Sequence, residues 1–227
     1  MFFPIGDTQV KGGYTPYIAY ALIAINVVIF LYEVTLGPHA CEIFLFKYGT
    51  IPAEITTGVD MHTLFTSMFL HGGWMHLIGN MLFLWVFADN IEAIIGSMMF
   101  LFFYIAGGLI GSAAHILVDT NSIIPSIGAS GAISAVMGAY LVMFPKSKIK
   151  VIILFFTAYM PALLFLLLWF GQQMISGLGA LIPQEAESAG VAWWAHIGGF
   201  VFGVLFGLLF KSRIDQHNYR RLNKTSV

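Results

Sequence analysis

The chain has little charge. Asp, Glu, Lys and Arg make up 9% of its 227 residues, against about 25% in a soluble domain. With a net charge of −1 it offers no general electrostatic attraction to nucleic acid. Cysteine is nearly absent: Cys41 stands alone, which excludes an internal disulfide and a Cys-based metal site and leaves it a small packing residue. The first ten residues hold Pro4, Gly6 and Asp7 and no basic stretch, unlike a cleaved signal peptide. There is no His-Glu-x-x-His, and no carboxylate stands among the histidines, so no metal or other cofactor is expected. Asp89 and Asp119 fall at the ends of apolar segments, which argues against paired aspartates acting inside a membrane.

What is present is apolar. Hydrophobic residues make up 59% and mean hydropathy is +0.86, so an all-α polytopic membrane protein is expected, with the lipid bilayer as its surroundings. Six spans are read at about 15–36, 74–95, 97–118, 128–144, 149–170 and 192–210. They divide the chain into a short head (1–14), a six-helix domain (15–210) and a basic tail (211–227). With both termini cytoplasmic, nine of the ten Lys and Arg residues lie inside and only Lys47 outside, as the positive-inside rule requires. The N-terminal sequence and this topology fit a prokaryotic plasma (inner) membrane, with any site in the outer layer opening to the extracytoplasmic side.

Orientation converts sequence position into depth. Ser130 precedes Lys146, the inner end of span four, by 16 residues, ~24 Å at 1.5 Å per residue. His196 precedes Lys211, the inner end of span six, by 15 residues, ~22 Å by the same rise. The two are therefore level. His76, on span two, falls in the same outer layer. If the fourth helix begins near Gly128, residues 121–127 enter the membrane as irregular backbone, which survives there only when covered by protein or lining a wet cavity.

A serine hydroxyl is a weak nucleophile until a base takes its proton, and His196 is the natural base for Ser130. Gly131, Ala135 and Ala139 on span four and Gly199, Gly203 and Gly207 on span six recur every four residues, and such small-residue faces let helices approach closely. On spacing alone, a serine in a packing seam explains the same pattern. His76 and Asn80 share one helix face. With the backbone N–H of Ser130 they can donate to an oxygen that becomes negative during acyl transfer, or simply satisfy backbone groups within the bundle. His71, between Leu70 and Gly72, is expected to shape its loop, and Glu92 to bond a loop or the tail. Span five has Pro161 in its middle and a Gly-rich connection after it containing Glu185 and Glu187; a kinked gate and a plain lipid-facing helix both fit.

In order along the chain stand Thr66-Ser67-Met68-Phe69-Leu70-His71-Gly72-Gly73, His76-x-x-x-Asn80 and Glu92-x-x-x-Gly96. They are followed by Gly128-Ala129-Ser130-Gly131 and Ala195-His196-Ile197-Gly198-Gly199-x-x-x-Gly203. This set resembles the rhomboid family of intramembrane serine proteases over about residues 62–207. The resemblance implies a six-helix bundle with a water-filled cavity. It implies Ser130 as nucleophile, His196 as base, and His76, Asn80 and the Ser130 N–H as oxyanion donors, with no acidic third member. Gly128, Gly131, Ser134, Gly199 and Gly203 are the structural residues beside that site. Substrates would be single-span membrane proteins cut in or near the span. No metal, nucleotide or nucleic acid is implied.

Three positions depart from the pattern. Ser134 stands where many members carry an aromatic ring against the base, so another group, a hydroxyl or water, must orient His196. The common Trp-Arg pair of the first outer loop is not evident, Met61-His62 being the nearest stretch, and Ala88 stands where a glycine often precedes Glu92 by four. A non-catalytic binder or chaperone of membrane helices is the alternative use of the same cavity. A transporter is disfavoured because the polar residues stop in the outer layer.

Overall fold

Backbone inside a bilayer must satisfy its own hydrogen bonds, and a helix does so within one segment. The computed structural model describes residues 2–8, 14–153, 156–181 and 191–224, with side chains described as far as Ser212 except those of Phe2 and Ile153, and most of these residues are helical. Lys11, Glu185, Glu187 and the side chains of the basic tail beyond Ser212 lie outside the described set.

Helix α1 (Tyr17–Thr35) leads into a long connection. It carries α2 (Pro38–Tyr48), α3 (Pro52–Thr56), α4 (Thr63–Thr66) and a 3-10 turn at Ser67–Phe69. Then come α5 (Trp74–Ile95), α6 (Ser97–Val118), α7 (Ser130–Met143), α8 (Ala162–Gly179) and α9 (Trp193–Lys224). Helices α1, α5, α6, α8 and the first part of α9, Trp193–Ser212, are long and apolar enough to cross a membrane; α7 is a shorter apolar helix. This is the helical membrane bundle expected. Helix α9 runs on without a break to Lys224.

Short α7 is the axis of the bundle. Every residue from Gly131 to Tyr140 is buried, because α6 and α9 close on it through small residues. A methyl on Gly199 would strike the carbonyl oxygen of Gly131, one on Gly203 that of Ala135, and one on Gly207 would lie 3.0 Å from that of Ala139. The two four-residue repeats read from the sequence thus face each other along one seam. On the α6 side, a methyl on Gly107 would meet the Ala135 side chain.

Two carboxylates fasten elements far apart in sequence. The first N–H groups of a helix have no partner inside it. Glu92, fully buried in α5, supplies one across the bundle: its carboxylate accepts from the backbone N–H of Ile18 (3.1 Å) and Ala19 (2.9 Å). It also accepts from Ser97 Oγ at 2.6 Å and Tyr14 Oη at 3.3 Å. Glu92 therefore caps α1 and, through Tyr14, also holds the segment just before it. Gly96, with φ +84°, makes the turn from α5 to α6.

Span five departs from the reading of the sequence. Lys148–Ile153 (β2) and Phe156–Pro161 (β3) form an antiparallel pair, and α8 begins only at Ala162. Ile149-Lys150-Val151-Ile152-Ile153 is rich in β-branched residues, which suit strands. Pro161 lacks an N–H and sits at φ −54°, ψ 132° just before the first turn, where a proline costs a helix nothing. It is a helix start, not a kink. An N-terminal strand β1 (Phe2–Asp7) pairs antiparallel with β2, Phe3 opposite Ile152 and Asp7 opposite Ile149. The strand carries Asp7 to the end of α7 remote from Ser130, where one carboxylate oxygen accepts from Tyr140 Oη and Asn90 Nδ2. Burial pushes the Asp7 carboxyl up to about 6, with those two hydrogen bonds opposing the shift.

Candidate active site

Residues 119–129 reach α7 as non-helical backbone covered by the first connection. Thr50 and Ser126 exchange backbone hydrogen bonds of 3.0 and 2.8 Å, and the N–H of Ala53 donates to the Ser122 carbonyl at 3.1 Å. The irregular entry expected before α7 is therefore paired. Its last turn needs Gly128: φ is +118°, and a methyl there would lie 2.7 Å from His76 Nε2. The N–H of Gly128 donates to the Ser67 carbonyl at 2.8 Å. Ala129 is the N-cap, so Ser130 opens the helix, its N–H at the positive end of the helix dipole.

The seam between α7 and α9 sets the next contact. With Gly199 against Gly131, His196 one turn earlier faces the start of α7, and its Nε2 lies 2.7 Å from Ser130 Oγ. The equal depth read from basic anchors becomes a direct hydrogen bond. Ser134 does not orient the imidazole: its hydroxyl donates to the Ser130 carbonyl at 2.6 Å, within its own helix. The other imidazole nitrogen, Nδ1, lies 2.8 Å from Gln173 Oε1 on α8. The rings of Trp169 and Trp193 flank His196, each with its centroid 6.0 Å away.

His76 and Asn80 occupy one face of α5, opposite Ser130. The Gly72 N–H faces His76 Nδ1 at 3.4 Å, which leaves Nε2 as the hydrogen-bearing nitrogen on the Gly128 side. Asn80 is buried and its Nδ2 has no partner among the described residues, an unspent donor next to the site. His76, Asn80, Ser130, Ser134, Gln173 and His196 all line one cavity of about 680 Å³. Gly131, Gly199 and Gly203 stand behind it in the helix seam.

His71, His62 and His115 do not join the pair. His71 is buried against Phe30 and His76, with its backbone N–H toward Glu33 at 3.4 Å. His62 is exposed beside Asp60, and His115 lines a separate pocket near Trp193 and Trp194. Among the described residues no three His, Cys, Asp or Glu side chains converge as metal ligands. Gln173 and the two tryptophans were not legible beforehand. The available signal was a Gln172-Gln173 pair in an apolar stretch, one turn after Trp169, hidden because span five was read as ending at residue 170.

The profile of the Rhomboid domain matches residues 59–213. "Rhomboid protein 1, mitochondrial" of Saccharomyces cerevisiae is 29% identical over 215 residues, covering 90% of this chain and 56% of its own length. "Presenilin-associated rhomboid-like protein A, mitochondrial" of Danio rerio is 30% identical over 175 residues, covering 74% of this chain and 42% of its own length. "RHOMBOID-like protein 5" of Arabidopsis thaliana is 29% identical over 176 residues, 76% of this chain and 51% of that protein. The chain thus spans about half the length of these curated relatives. The yeast and fish names overturn the expected prokaryotic plasma membrane with its extracytoplasmic opening, since both relatives are mitochondrial. The physical reason is that basic residues order the two sides of a bilayer and do not say which bilayer it is. A domain match over most of the chain, on a helical membrane bundle with the expected order of elements, makes this chain a member of the rhomboid family.

Proposed function

We propose that the chain is an intramembrane serine endopeptidase that cuts single-span membrane proteins in or near their membrane segment. The observation that carries this reading is the 2.7 Å contact between Ser130 Oγ and His196 Nε2 at the wall of a 680 Å³ cavity. A bilayer excludes water, so a hydrolase working there needs such a cavity.

In this reading Ser130 Oγ attacks the scissile carbonyl carbon while His196 Nε2 takes its proton. The carbonyl oxygen becomes negative and accepts from the Ser130 N–H, His76 Nε2–H and Asn80 Nδ2–H, the donors this reading assigns to it. His196 then returns the proton to the leaving amine as the C–N bond breaks. Water attacks the acyl–serine ester, with His196 again as base, and releases the second product. The Asn80 Nδ2, unpartnered among the described residues, supports the assignment, because a buried donor without a partner costs stability unless something uses it. The names of the relatives support membership of the rhomboid family and say nothing of this chain's activity or substrates.

The test is cleavage of a single-span reporter in proteoliposomes. Ser130→Ala and His196→Ala are each expected to lower cleavage by about 10³-fold or more with the melting temperature unchanged. Normal cutting by both variants would sink the mechanism. Reporter bound but never cut by the wild type would instead identify a binder of membrane helices.

A further inference from the structure

A base that must accept a proton from serine needs its near nitrogen bare, and a neutral imidazole has two ways to carry its one hydrogen. The group that usually decides this is a partner on the far nitrogen. On α7 nothing serves, because Ser134 spends its hydroxyl on the Ser130 carbonyl. The partner is Gln173 Oε1, 2.8 Å from His196 Nδ1.

The direction of each hydrogen bond follows from one backbone carbonyl. Gln173 Nε2 donates to the Trp169 carbonyl oxygen, one turn back on α8, at 3.3 Å. A carbonyl only accepts, so the NH2 side of the amide faces Trp169 and Oε1 faces His196. Oε1 also only accepts, so Nδ1 carries the hydrogen. Nε2 is then bare, and the bond to Ser130 Oγ runs from hydroxyl to imidazole. No other arrangement of a neutral imidazole satisfies all three contacts.

We propose that Gln173 is the positioning residue of the Ser130–His196 pair, and that the pair is competent only while α8 is docked. This rests on the protease reading above. Gln173 is 4% exposed, so water does not readily replace its carbonyl. It lies on the face of α8 that packs on the bundle: Gly177, one turn on, lets α8 approach Ile197, and Phe170 stacks on Phe200 of α9 at 4.5 Å. The opposite face, with Leu163, Leu164, Leu167 and Leu168, is exposed. The nucleophile and base are fixed to each other by the glycine seam of α7 and α9, while the group that sets the base's hydrogen comes from a third helix. A neutral amide sets that hydrogen without adding the charge that a carboxylate would bring.

The test compares full-length wild type, Gln173→Met and Gln173→Glu by the rate of fluorophosphonate labelling of Ser130 as a function of pH. Methionine keeps the length of the side chain and removes the acceptor; its labelling rate is expected to fall about tenfold or more, with the melting temperature held. Glutamate restores an acceptor and with it the labelling. Its carboxylate opposite Nδ1–H favours the imidazolium, so activity is lost at a higher pH, by about one unit, as the solution is acidified. Wild-type rate and pH profile in Gln173→Met would overturn the proposal. So would a Gln173→Glu variant as inactive as the methionine one while folded. If Gln173→Met does not fold, the Glu variant decides alone: a displaced acid limb supports the proposal and an unmoved one overturns it. Absence of labelling in the wild type would remove the protease reading itself, an outcome distinct from a labelled wild type indifferent to Gln173.

Discussion

The two ends of α7 contrast. At its first residue, Ser130 meets an imidazole and faces a cavity, and the Asn80 amide beside it has an unused donor. In its last turn, Tyr140 and the neighbouring Asn90 bind Asp7, and deeper in the same half Glu92 accepts four hydrogen bonds. Polar groups are buried at both ends; at the Ser130 end one of them, Asn80 Nδ2, has no partner among the described residues and stands beside the cavity. A buried polar group with all its bonds made holds a structure together; one with a donor free next to a cavity is placed for something that is not yet there. Depth or rarity of charge alone does not separate the two cases.

Substitutions at each end separate them. Glu92→Ala, at the fastening end, is expected to cost roughly 3 to 5 kcal/mol, because two backbone donors and two hydroxyls lose their buried acceptor. This is read as a fall in melting temperature, with residual folded protein still labelling at Ser130. If stability holds and labelling alone is lost, the contrast between the ends fails. Asn80→Ala, at the site end, is expected to lower kcat/KM by about 10²-fold at unchanged melting temperature. A loss of stability in place of rate would reassign Asn80 to packing.

The smallest effect expected is at Asp7. Its folded-state value of about 6 lies above the ordinary 3.8, so the folded protein holds the proton more tightly. The associated stability is fully present below about pH 4 and is lost as pH rises through 6. A contribution on the order of 1 to 2 kcal/mol is expected, since the group keeps some contact with solvent. Asp7→Asn should flatten the dependence of melting temperature on pH between 4 and 7. An unchanged slope would show that another group titrates there.

Much of this was legible in the sequence because the signals were long or tied to charge. Residues 74–95 and 97–118 match the observed helices to the residue, since Gly73 and Gly96 punctuate long apolar runs. The level placement of Ser130 and His196 followed from Lys146 and Lys211, and the glycine repeats named the seam that joins them. What was hidden depends on tertiary contact. A run such as Ile149–Ile153 suits a strand or a membrane helix equally, and pairing with β1, far off in sequence, decides between them. Reading span five too early carried its end to residue 170 and left Gln173 in a loop. The identity of the α1 cap was equally out of reach, because Glu92 reaches it across more than 70 residues of chain.

The central claim is that Ser130 is a nucleophile because His196 accepts its proton. Fluorophosphonate labelling of the purified protein tests it most directly, with the modified residue identified by mass spectrometry. The account predicts a single adduct on Ser130 that disappears in His196→Ala. Labelling of Ser130 that persists at the wild-type rate without His196, or no adduct on Ser130 in the folded wild type, would contradict it.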